Sequence, residues 1–144
     1  MISLTLVDVR KPAFLRINAL KNQLKELIQL EHKKVGDISI VLTSDSYLLK
    51  VNQEFLNHDF FTDIITFDYC EGDLVSGDLM ISTERVLENS LNLKTTFETE
   101  FLRVVYHGVL HLCGYKDKKQ NEIKEMRAKE AFYLGLFVSR ETNN

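Results

Sequence analysis

Cysteine is scarce. Cys70 and Cys113 are the only two in 144 residues, and they lie far apart with no C-x-x-C pair. Neither a disulfide framework nor a thiolate zinc knuckle is indicated. Proline is scarcer still, with Pro12 alone, and there is no Pro/Gly-rich linker, low-complexity stretch or internal repeat. A single domain over residues 1–144 is therefore expected. No apolar run approaches the roughly 18 residues of a membrane span. Asp8, Arg10 and Lys11 interrupt any signal-peptide core near the N-terminus. A cytoplasmic protein with no membrane partner is the simplest expectation. Excess positive charge is missing too: the net charge is −3 and the pI is near 5.8. That argues against coating nucleic acid or anionic membrane by bulk charge, and restricts any nucleic-acid contact to a local patch.

What is present is the composition of a globular protein, 44% hydrophobic and 27% charged. A chain of this length buries about two thirds of its unfolded surface. Its core needs no structural metal, so a metal site here is read as functional.

Residues 2–9 alternate like a strand, and Pro12 suits the first turn of a helix. That helix carries Ile17, Leu20, Leu24, Leu27 and Ile28 at three-four spacing and is expected to fail near Gly36. Ile38, Ile40 and Leu42 alternate as a second strand, and Asp45 can cap a helix with the stripe Leu48, Val51 and Phe55. Ile64 to Tyr69 and Leu74 to Ser82 read as a hairpin turned by Glu71-Gly72-Asp73. Helices follow over about 83–91, 96–113 and 118–137, the second stopping at Gly114. The expected fold is α/β (α+β), a mixed β-sheet packed with helices.

The informative segment is Tyr106-His107-Gly108-Val109-Leu110-His111-Leu112-Cys113-Gly114-Tyr115-Lys116-Asp117. His107 and His111 are four apart, which on a helix stacks both imidazoles on one face. Two nitrogens so placed can bind one divalent metal at about 2.0–2.1 Å each. The pair alone is a weak signal, since hydrogen-bonded helix histidines show the same spacing. Gly114 strengthens it by reversing the chain just after His111, which can swing a third ligand over the same face. Asp117 is that candidate, although Asp117-Lys118-Lys119-Gln120 also fits the start of a capped helix. Cys113, two positions from His111, points to the other side. Three protein ligands with an open fourth position are the layout of a catalytic zinc. An H-E-x-x-H peptidase carries a glutamate after its first histidine, as the base that activates water. Gly108 stands there instead, giving room for a substrate or for tight packing on a neighbouring element.

This segment resembles the H-G-x-L-H-L-x-G-Y-D-H signature of the YbeY-type endoribonucleases. Val51-Asn52-Gln53-Glu54-Phe55-Leu56 and Thr62-Asp63-Ile64-Ile65-Thr66-Phe67 resemble that family's L-N-x-x-Y-R and T-D-V-L-S-F. Gly77-Asp78-Leu79-Met80-Ile81 is similar to its G-D-I-x-I strand, and Glu100, Glu125, Met126 and Glu130 fall where its helices carry those residues. The resemblance covers nearly the whole chain. It implies a zincin-like fold and a metal-dependent endoribonuclease preferring single-stranded RNA, with roles in small-subunit ribosomal RNA 3′ end maturation and ribosome quality control. The implied ligands of one Zn2+ are His107, His111 and, by position, Asp117; the implied partners are single-stranded or ribosomal RNA and the ribosome. Two departures stand out: the family's third histidine is Asp117 and its arginine is Leu56. Zinc can bring its water's pKa to about 7, so no side chain is assigned as general base. The rival readings are a zinc hydrolase of another substrate and a non-catalytic ribosome assembly factor with a structural metal.

Overall fold

Ile38, Ile40 and Leu42 alternate with polar or half-buried neighbours, and all three are buried at the centre of a four-stranded sheet. The computed structural model describes residues 1–142. In chain order they form β1 (Ile2–Val7), α1 (Ile17–Leu30), β2 (Lys34–Thr43), α2 (Asp45–Leu56) and β3 (Ile64–Asp68). Then come β4 (Leu74–Ser82), α3 (Thr83–Asn92), α4 (Phe97–Leu112) and α5 (Gln120–Thr142). The strands lie in the order β1-β2-β4-β3. β1, β2 and β4 run parallel, and β3 closes one edge antiparallel to β4. Gly72, at φ 56°, turns the hairpin between β3 and β4 as its sequence predicts. The mixed sheet packed with helices is the α/β fold expected.

Side chains alternate across a strand, so β3 and β4 present different residues to the two faces. Leu79 and Ile81 join the main core with Leu20, Leu24, Leu27 and Ile28 of α1 and Phe101, Val105 and Val109 of α4. Burying each such aliphatic side chain contributes about 1.5–3 kcal/mol. On the other face Ile65, Phe67 and Met80 meet Leu48 and Val51 of α2. The β3 edge therefore lies between α4 on one face and α2 on the other.

Gly108 belongs to this packing. A Cβ there would sit 2.8 Å from Ile64 Cδ1 and 2.9 Å from Leu79 Cδ2, so α4 rides close on β3 and β4. Alanine would require the ends of the Ile64 and Leu79 side chains to shift.

Several boundaries differ from the sequence pattern. β1 ends at Val7 because Asp8 takes φ 61°. Pro12 does not open α1: the Leu15 N–H bonds the Pro12 carbonyl in a separate turn, and the helix starts at Ile17. α1 ends at Leu30, well before Gly36, because His32 adopts φ 61° and the Lys33 N–H returns to the Ile28 carbonyl. Gly36 lies inside β2 instead. Ser44, not Asp45, caps α2 by accepting from the Tyr47 N–H. Asp45 is engaged elsewhere, accepting from Arg85 Nη2 at 2.6 Å. Phe55 does not continue the buried stripe and is 69% exposed.

Candidate metal centre

α4 is capped by Thr96 and puts His107 and His111 one turn apart, ring centroids 5.6 Å from each other. Its end sets the third group. Cys113 is the C-cap and Gly114 follows at φ 111°. The Gly114 N–H bonds the His111 carbonyl at 3.0 Å and the Tyr115 N–H bonds the Leu110 carbonyl at 3.1 Å. This paired closure of a helix end is the Schellman arrangement, which needs a residue free of a Cβ penalty at the reversal. The turn brings Asp117 back over the histidines. Asp117 Oδ2 lies 3.2 Å from His107 Nε2, and Oδ1 lies 3.6 Å from His111 Nε2. One ligand atom from each residue falls within 4.8 Å of the others.

The hydrogen bonds behind the imidazoles fix their tautomers. His111 Nδ1 lies 2.7 Å from the Tyr115 carbonyl oxygen, and His107 Nδ1 lies 2.7 Å from Glu130 Oε2 on α5. A carbonyl and a carboxylate can only accept, so each Nδ1 carries the proton. In a neutral ring the Nε2 lone pair is then free, and both point toward Asp117. Lone pairs facing a carboxylate at these distances repel unless a cation stands among them. Two imidazole nitrogens and a carboxylate oxygen are a donor set that divalent transition metals accept. The residues present fit such an ion.

Glu130 is itself anchored. Arg103 bonds Glu130 Oε1 at 3.0 Å and grips both oxygens of Glu100, at 2.8 and 2.7 Å. The two glutamates are each 2% exposed, so Arg103 is their principal compensation. Burial pushes the Glu130 carboxyl up, but bonds from His107 and Arg103 outweigh it and hold the group below its ordinary value. The partnership with Glu100 raises the Arg103 guanidinium correspondingly.

Tyr115 is anchored from the other side. Its hydroxyl donates to Glu31 Oε1 at 2.6 Å, while Lys129 Nζ and the Tyr133 hydroxyl donate to Glu31 Oε2. Cys113 is buried and is no ligand; burial pushes its thiol up to about 12.

The three groups open into a cleft of about 500 Å³, lined also by Leu56, His58, Phe60 and Asp63. Burial pushes the Asp63 carboxyl above its ordinary value, with the Arg103 and His107 charges pulling it partly back. Asp63 thus stays protonated to higher pH than a free aspartate, as groups that handle protons in clefts often do.

The structure brings together all three residues singled out from spacing. Asp117 is not the cap of α5. Lys119 holds that position, its carbonyl accepting the first helical bond from Ile123 and its N–H donating to Glu122 Oε1 at 2.9 Å. Residue spacing alone does not reveal the orienting roles of Glu130 and the Tyr115 carbonyl. The only sequence signal for Glu130 is its place in the resembling pattern.

Fold and site define a class: an α/β protein whose edge-strand cleft holds a His–His–Asp cluster able to take a divalent cation. The particular family follows from comparison with known proteins. The chain belongs to the endoribonuclease YbeY family, whose model matches residues 9–137. It is 47% identical over 117 residues to the Endoribonuclease YbeY of Christiangramia forsetii, covering 81% of this chain and 82% of that protein. It is 52% identical over 110 residues to that of Porphyromonas gingivalis strain W83, covering 76% and 72%. The solution structure of TM1509 from Thermotoga maritima superposes with a TM-score of 0.74 at 32% identity, covering 100% of this chain and 93% of that one.

Proposed function

We propose that this chain is a metal-dependent endoribonuclease that cuts single-stranded RNA during ribosomal RNA processing, including small-subunit 3′ end maturation. Its metal is one Zn2+, held by His107, His111 and Asp117. The whole of residues 1–144 works as one unit, in the cytoplasm and on the ribosome, where it also serves quality control. Among the described residues no helix is long and apolar enough to cross a membrane.

One observation carries this reading. Both Nδ1 protons are committed to acceptors behind the rings, so both Nε2 lone pairs are presented to one point beside Asp117. Bound there, the ion supplies Lewis-acid polarisation of a phosphoryl oxygen and an acidified water. The chain's own part is to hold the two rings and close the third position. His111 and Asp117 are 36% and 37% exposed, which suits a centre open to substrate rather than a closed structural one. Peptide hydrolysis is disfavoured at Gly108: the position that would carry the activating glutamate holds a glycine packed against Ile64 and Leu79.

The test is cleavage of single-stranded ribosomal RNA by the zinc-loaded protein and by a folded His107→Ala variant. Cleavage by the wild type, abolished in the variant and by chelation, is expected. A wild type that holds zinc and does not cut RNA would favour the assembly-factor reading.

A further inference from the structure

The metal cleft is also walled by the stretch that runs from the last turn of α2 to β3. Within seven residues it exposes Phe55, Leu56, Phe60 and Phe61, an apolar concentration that core packing does not use. Phe60 is 55% exposed and stacks on His58, ring centroids 5.1 Å apart and planes 22° from parallel. The rings are open but their backbone is tied down. Asn57 ends α2 at φ 56°, and the His58 N–H returns to the Asn52 carbonyl at 3.1 Å. The buried Asn52 side chain donates to the Phe60 carbonyl at 2.9 Å, and Gln53 Nε2 donates to Asp59 Oδ1 at 2.6 Å. A flat aromatic pair is thus presented on a fixed frame, in the same cleft as the metal centre.

The cleft's charge says what such a pair can hold. Among the described residues, none lining the cleft is lysine or arginine. Its wall offers a polynucleotide no permanent cation beyond whatever ion the metal centre holds. Stacking on aromatic faces is the other sequence-tolerant way to grip a strand, because every base has a π-face. A base inside a duplex already has both faces covered and cannot use it. We propose that His58 and Phe60 form a stacking subsite for one unpaired nucleobase beside the phosphate held at the metal centre. The proposal rests on the RNA-cleaving reading above and makes these two side chains selectors of unpaired substrate.

The test uses the full chain with zinc chelated, so that the strand is not cut, and a short oligoadenylate carrying one 2-aminopurine. Binding and fluorescence quenching are followed together; cleavage is followed separately with zinc restored. Phe60→Leu keeps the bulk but loses the flat face, and should weaken binding roughly fivefold to a hundredfold with loss of quenching. Phe60→Tyr should restore both, and His58→Ala should fall between. The salt dependence of Phe60→Leu should keep the wild-type slope, because no phosphate contact is removed. Leu56→Arg, which adds one on the same wall, should steepen it by about 0.7. If wild type binds and cuts RNA and Phe60→Leu does both equally well, the subsite is overturned and the rings belong to a protein contact. If Phe60→Leu flattens the salt slope, the loop acts through charge and the stacking proposal is likewise overturned. If wild type neither binds nor cuts RNA, the RNA-cleaving reading fails and takes the subsite with it.

Discussion

His107 and His111 sit one turn apart on α4 and aim at the same point, yet they are held by opposite kinds of device. His107 is oriented by a side chain from another helix, the Glu130 carboxylate, locked in a buried network with Arg103 and Glu100. His111 is oriented by the backbone, through the Tyr115 carbonyl that the helix-ending turn delivers at 2.7 Å. The first device is ionic, buried and dependent on side-chain chemistry. The second is neutral, nearer solvent and dependent on chain geometry. A ligand's partner behind the ring fixes its tautomer and basicity in either case. The charged partner sets a full negative charge behind its imidazole, at the risk of a buried carboxylate left unpaired.

The difference can be broken most violently at Arg103. Arg103→Ala leaves Glu100 and Glu130 buried without their shared cation, and should cost about 3–5 kcal/mol in urea denaturation. A loss below about 1 kcal/mol would show that water already solvates the pair. Glu130→Gln is gentler. It keeps the shape and an acceptor oxygen but removes the charge behind His107, and should reduce zinc affinity about 10- to 100-fold with the fold retained.

The His111 side is attacked through geometry. Gly114→Ala forces a side chain into φ 111° and should destabilise by about 1–3 kcal/mol, with a weaker effect on zinc affinity than Glu130→Gln. Circular dichroism melts and zinc titration read the two effects separately. Glu31→Gln, which loosens the anchor of the Tyr115 side chain, should cost about 1 kcal/mol. Its pH dependence has a definite sign. Burial raises the Glu31 carboxyl, but bonds from Tyr115, Tyr133 and Lys129 outweigh that and hold it below its ordinary value of 4.5. A lowered folded value means the carboxylate's stabilisation is complete above the unfolded pKa and is lost as pH falls through the folded one. The gap between wild type and Glu31→Gln should therefore be constant near neutrality and close below about pH 4.5. A gap that widens on acidification would reverse the assignment.

What could be read from sequence divides along the same line. His107, His111, Gly114 and Asp117 lie within eleven consecutive residues, where the helical period and one helix stop bring the three side chains to one face. Glu130 is 23 residues from His107 on a different helix, and only packing of α5 on α4 brings them together. The Tyr115 carbonyl belongs to a backbone that every residue shares, so no residue type marks it. Ser44 and Asp45 are both able caps, and the choice is made by Arg85, a partner 40 residues further along the chain. Phe55 continues the apolar stripe of α2 by spacing, yet it is exposed where the core of that helix stops at Val51. Local geometry was legible; partners drawn from distant elements were not.

Zinc titration by calorimetry on the wild type, Asp117→Ser and Asp117→His bears most directly on the metal centre. One equivalent should bind the wild type through two imidazoles and the returned carboxylate. Asp117→Ser can no longer supply the charge and should lose affinity at least about tenfold with metal-free stability unchanged, because Lys119 rather than Asp117 caps α5. Asp117→His should retain one tightly bound equivalent. Identical zinc isotherms for the wild type and Asp117→Ser would be incompatible with Asp117 as the third ligand.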